Sequence, residues 1–264
     1  MGRVILFSEF EQYHDELTQG GHSVEGTILD ANIIITLSYS PKKYHTRLLE
    51  FLSKQLYPKD IPCFTTVNTT FEYLEFYRRI LMTEGLRDVV DEFSKLKLPN
   101  NKRRTIRYHS GRLKHREENH GADPVLNDRE IKDIRNKFSN SGAKGLQLWN
   151  KLCQAYLNPQ LQEEFDNLKT LGVKYLSIHE EEQKKYFTRE LEWKDAIKIS
   201  ATTCASISDS MILNALQSTA FPFAISLDLD VIYATLTDHS LKDILVPDDL
   251  ISDNHELKAL IGTT

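Results

Sequence analysis

The chain has 264 residues, 40% of them hydrophobic and 27% charged, with a formal net charge of −5. That length suits one large α/β domain or two small ones, and the balance excludes a disordered chain or a fibrous repeat. Three cysteines without a CxxC spacing exclude a disulfide framework, and the longest uncharged stretch, 210–227, holds Asn214, Gln217 and Pro222 and so makes a poor membrane span. The opening MGRVILFSEFEQYHDEL has acids within ten residues and no small-residue cleavage site, so no signal peptide is expected. The expectation is a soluble, cytoplasmic protein with reduced thiols and no membrane contact.

The first predicted element is a strand over Thr27–Ile35, an apolar run interrupted by Asp30 and Asn32. Such a run suits a strand covered on both faces, as in a parallel sheet. Leu48, Leu49 and Leu52 at helical spacing predict a helix over Lys43–Leu56. Pro62–Val67 reads as a second strand, and Thr69–Tyr77 as a helix opening on a threonine cap. A helical stretch around Arg87–Leu96 leads into a basic segment with two or three helices. The clearest of these is Gly142–Tyr156, with Leu146, Trp149, Leu152 and Cys153 on one face. Gly172–Ile178 reads as a third strand, followed by a helical region over Glu180–Ser200 and a helix from Ser208–Asp209–Ser210 to Leu216. Phe223–Asp230 reads as a strand and its exit, then a short helix, then an edge strand Asp243–Pro247 closed by proline. Strands alternating with helices predict an α/β fold with a central parallel sheet.

Charge is unevenly spread. Between Lys95 and Lys151 lie fifteen Lys and Arg against six Asp and Glu. Arg103, Arg104, Arg107, Arg112, Lys114 and Arg116 are candidates for gripping a nucleic-acid backbone; a solvated helix face is the plain alternative. Tyr108 in the same run could stack on a base or pack locally. His109, His115 and His120 fall close together but lack a cysteine or a helical HxxxH pair, so zinc is not expected.

In parallel sheets ligands bind beyond the C-terminal ends of the strands. Asp30 and Asn32 fall there after the first strand, and Asp228 and Asp230 after the Phe223 strand. Glu72 lies early on the helix after the second strand, ahead of Glu75 on the same face, and Asp209 opens a later helix. Converging carboxylates repel unless a cation intervenes, and an all-oxygen set favours Mg²⁺ or Mn²⁺. The chemistry that fits is metal-dependent hydrolysis of a phosphodiester, a water activated by the ion being deprotonated with help from Asp209 or Glu72. Asp228 and Asp209 have helix-capping as their plain alternative.

The ordered set Leu29-Asp30-Ala31-Asn32, Thr70-Phe71-Glu72, Ser208-Asp209-Ser210, Ser226-Leu227-Asp228-Leu229-Asp230 and Leu241–Pro247 resembles the PIN-domain nucleases, over roughly 25–85 and 168–250. The resemblance implies a three-layer α/β/α domain spanning 1–264, with 86–168 as a helical, basic insertion. It implies an endoribonuclease in which Asp30, Glu72, Asp209, Asp228 and Asp230 hold Mg²⁺ or Mn²⁺ while Asn32 and Ser226 orient them. RNA, or single-stranded DNA, is the implied substrate, and an antitoxin-type protein partner or a homodimer is compatible with it. Ser226 stands where the family has threonine, which keeps the hydroxyl. A catalytically inactive RNA- or protein-binding module on the same scaffold is the alternative.

Overall fold

The computed structural model describes residues 2–90, 98–120, 123–158 and 160–261. The strands are short: β1 (Val4–Leu6), β2 (Thr27–Leu29), β3 (Cys63–Thr65), β4 (Val173–Tyr175), β5 (Phe223–Ile225) and β6 (Asp243–Val246). They form one all-parallel six-stranded sheet in the order β1-β6-β5-β2-β3-β4. Ile28 in β2 lies between Phe64 of β3 and Ala224 of β5. All three residues of β2, β3 and β5 are buried, as strands covered on both faces require. From β2 the chain builds outward through β3 and β4, whereas β5 starts on the other side. The crevice where the winding reverses therefore lies at the ends of β2 and β5.

The helices are α1 (Phe10–Gln19), α2 (Ala31–Ser38), α3 (His45–Phe51), α4 (Val67–Asp88), α5 (Asn100–His120), α6 (Asp128–Ser139), α7 (Gly142–Tyr156), α8 (Gln160–Thr170), α9 (Trp193–Thr203), α10 (Ile207–Gln217), α11 (Leu229–Thr237), α12 (Asp248–Ser252) and α13 (His255–Ile261). A π-helical segment, Leu52–Leu56, extends α3 to the length expected. Among the described residues, no helix is long and apolar enough to cross a membrane.

Several elements differ from expectation for identifiable reasons. The strand expected to run to Ile35 stops at Leu29, because Asp30 caps α2. Ile33, Ile34 and Ile35 are buried in that helix, and a helix enclosed on every side is as continuously apolar as a core strand. The helix expected from Thr69 begins at Val67. The Thr66 N–H donates to Thr69 Oγ1 at 2.7 Å, which places the cap at Thr66. The region 180–200 is a 3₁₀ segment, Glu181–Tyr186, and then α9, separated by backbone in which Phe187 bridges Thr219. β6 is not an edge: it pairs with both β5 and the unforeseen β1.

The chain divides into two compact units, 1–73 with 168–264, and 74–167. The second begins at Leu74, and the resemblance implied an insertion over 86–168. In the first, α1 lays Phe10 and Tyr13 against Phe223, with ring centroids 5.8 and 5.9 Å apart. A second apolar cluster joins Ile28, Phe64, Ile212, Leu216, Val231 and Ile244.

The second unit has its own core, in which Leu86, Ile106, Leu113, Ile134, Phe138 and Leu152 meet. Asn127 and Glu130 cap α6 reciprocally, each side chain accepting the other's backbone N–H at 3.0 Å. Phe138 meets Trp149 edge-on at 5.3 Å. Leu146, expected on that buried face, is exposed, and Gly145 is buried instead. A Cβ on Gly145 would stand 1.9 Å from the Phe138 carbonyl oxygen, so only glycine lets the α6–α7 turn close this tightly. Of the helical stretch expected at Arg87–Leu96, α4 covers as far as Asp88, and residues 91–97 lie outside the described residues.

Candidate metal centre

The β2–β5 register sets the site. The Asp30 N–H donates to the Ile225 carbonyl at 3.0 Å, which brings Asp30 beside Ser226. Ser226 Oγ donates to Asp30 Oδ2 at 2.6 Å, and the Ala31 N–H donates to Oδ1 at 2.6 Å. Asp30 is only 2% exposed. Burial pushes its pKa up to about 7; the Ser226 and Ala31 hydrogen bonds oppose this, while the charges of Asp228 and Glu72 add to it.

Ser226 also serves Asp228. Its Oγ accepts the Asp228 N–H at 3.0 Å, and Asn32 Nδ2 donates to Asp228 Oδ2 at 3.2 Å. The remaining Asp228 oxygen accepts the Asp230 N–H at 2.8 Å, so Asp228 caps α11. Asp209 lies in the first turn of α10, where Ser206 Oγ donates to its Oδ2 at 2.6 Å. Burial raises the Asp209 pKa, and Asp228, Glu72 and Asp230 push it the same way. Glu72, on α4, accepts a hydrogen bond from Ser208 Oγ. Its helical neighbour Glu75 is taken by Arg78 and is no part of the site.

Oxygens of Asp209, Asp228 and Asp230 all lie within 4.8 Å of one another. Asp30 and Glu72, expected to share one ion with them, stand outside that triangle; the Glu72 charge raises both the Asp30 and the Asp209 carboxyl, and Asp228 raises the Asp30 carboxyl as well. Among the described residues, none of the five acids has a Lys or Arg partner within 4.0 Å. Uncompensated carboxylates at this spacing are costly, and an all-oxygen set of two half-buried acids and one exposed acid fits a hard divalent cation such as Mg²⁺ or Mn²⁺. Ser206 and Ser208 were missed from sequence. Ser206-x-x-Asp209 is a capping-box spacing that marks both the helix start and the tether on the acid.

The second unit carries the six expected cations, and they are not equivalent. Lys114 pairs with Glu118 at 3.7 Å and Arg116 with Glu130 at 2.9 Å, while Arg103 Nε is buried without a partner. Arg104, Arg107 and Arg112 are exposed with no carboxylate partner among the described residues. His109 is buried, and the side chain of His120 lies outside the described residues. Comparisons with protein-family models, with curated proteins and with solved structures find no match.

Proposed function

We propose that this chain is a Mg²⁺- or Mn²⁺-dependent nuclease of PIN type, a three-layer α/β/α domain that hydrolyses phosphodiester bonds of RNA. The observation that carries this reading is the triangle of Asp209, Asp228 and Asp230 oxygens, with no Lys or Arg partner among the described residues, at the sheet's point of reversal. These three would hold the ion, with Asp30 and Glu72 adding negative charge beside it. A bound ion of this kind supplies positive charge to a phosphoryl oxygen and lowers the pKa of water. Glu72, outside the triangle that would hold the ion, would accept a proton from the attacking water. Asn32 and Ser226 hold the Asp228 carboxylate and its backbone in place.

The test is cleavage of end-labelled single-stranded RNA and single-stranded DNA, with Mn²⁺ or with EDTA. Wild type is expected to cut RNA only with metal and to leave 5′-phosphate ends. Asp209→Asn with Asp228→Asn should lower the rate by about a hundredfold or more, the scale of losing a principal electrostatic group. Undiminished cleavage by the double variant would overturn the assignment. RNA binding without cleavage by wild type would favour the inactive-module alternative.

A further inference from the structure

We propose that the groove between α5 and α6 is a nucleotide-binding pocket, which takes one base of a single-stranded RNA together with its phosphate. Arg104, Tyr108, His109 and Arg112 recur at helical spacing along one face of α5, and Asp133 and Lys137 lie one turn apart on α6. Together they line a cavity of about 630 Å³, within the size range of small-ligand sites.

Each wall supplies a different part of the recognition. Arg104 and Arg112 have no carboxylate partner within 4.0 Å among the described residues and are open to phosphate, while Arg116 is taken by one oxygen of Glu130, the buried acid on α6. Tyr108 is 61% exposed, with its ring 5.9 Å from the Arg112 guanidinium and edge-on to His109 at 5.3 Å. An aromatic face left open among arginines is a stacking platform for a base. His109 is only 6% exposed and lines the cavity wall, and its Nδ1 has no hydrogen-bond partner. A buried polar atom left unsatisfied is a deficit that a bound group or an ordered water removes.

Asp133 argues against a bare phosphate site. A carboxylate only accepts hydrogen bonds, so it suits the N–H edge of a base and repels an isolated anion. Continuity argues for a strand. Tyr108 and Arg112 also line a second cavity of about 570 Å³ with Arg107 and Gly111, so the same two side chains stand between two successive sites.

The inference does not rest on the nuclease reading, and its test is done in EDTA, where cleavage cannot contribute. The full chain is titrated with a fluorescent single-stranded 12-mer RNA and with a 12-mer of abasic sites carrying the same phosphates. Wild type should bind the RNA at least tenfold more tightly. Tyr108→Ala should weaken RNA binding about five- to hundredfold and abolish that preference. Arg104→Ala with Arg112→Ala should reduce the slope of log K against log salt by about 1.4, at about 0.7 per phosphate. Displacement of the RNA by AMP would show that a free nucleotide shares the pocket, and failure of AMP to displace it would assign the pocket to a strand. Equal binding of both 12-mers, an unchanged Tyr108→Ala variant, or displacement by inorganic phosphate as effective as by AMP would overturn the proposal.

Discussion

At Asp30 a carboxylate is enclosed by protein with no Lys or Arg partner among the described residues, held by one hydroxyl and one backbone N–H. With a native pKa of about 7 against an unfolded value near 4, the folded chain keeps a proton that the unfolded chain has lost between those pH values. The contribution of Asp30 to stability should therefore fall as pH rises from about 4 to about 7 and level off above. Asp30→Asn removes that dependence. In EDTA its melting temperature should match wild type near pH 4 and exceed it by a margin that grows to pH 7, worth up to about 4 kcal/mol. Equal melting curves at pH 8 would contradict this. The acid was legible in sequence because a carboxylate between Leu29 and Ala31 needs a reason to be there. Its two partners were not equally legible. Ser226 was expected to orient Asp228, and its bond to Asp30 depends on a register between strands 196 residues apart.

Among the elements, α10 carries one acid of the site on its first turn, fixed by the Ser206 cap. Ser206→Ala removes both the cap, worth about 1 kcal/mol, and the tether on Asp209. Mn²⁺ affinity measured by calorimetry should drop about tenfold, the lower end for losing a side chain that orients a metal ligand. The α6–α7 turn makes a sharper demand. Gly145→Ala drives a Cβ into the Phe138 carbonyl and should cost about 1–3 kcal/mol, read as a lower urea midpoint. Turning elements into a sheet order was beyond the sequence. α2 was read as strand because burial on all sides erases periodicity, and β1 was passed over because a three-residue strand gives no period at all.

For the molecule as a whole, the two units carry opposite charge. Residues 74–167 hold 18 Lys and Arg against 14 Asp and Glu, and the remainder has a net charge of −9. RNA is thus repelled by the unit with the acidic triangle and attracted by the other, so binding in EDTA should weaken steeply with salt. In the proposed reading, divalent metal acts on the acidic unit. Mn²⁺ at a hundredfold excess over its dissociation constant should stabilise the folded chain by about 2.7 kcal/mol and raise its melting temperature. The same addition to Asp209→Asn with Asp228→Asn should leave the melting temperature unmoved. The charge asymmetry was visible in composition; the boundary at Leu74 was not, because it falls inside a continuous helix with no change of pattern.

The edge strand β1 has β6 as its neighbour in the sheet, Val4 lying opposite Ile244. These partners are 240 residues apart in the chain, so their pairing closes a long loop and is slow to form. Until it closes, the backbone groups of Val4, Ile5 and Leu6 stay open to other chains, so weakening this pairing should show first as aggregation during refolding.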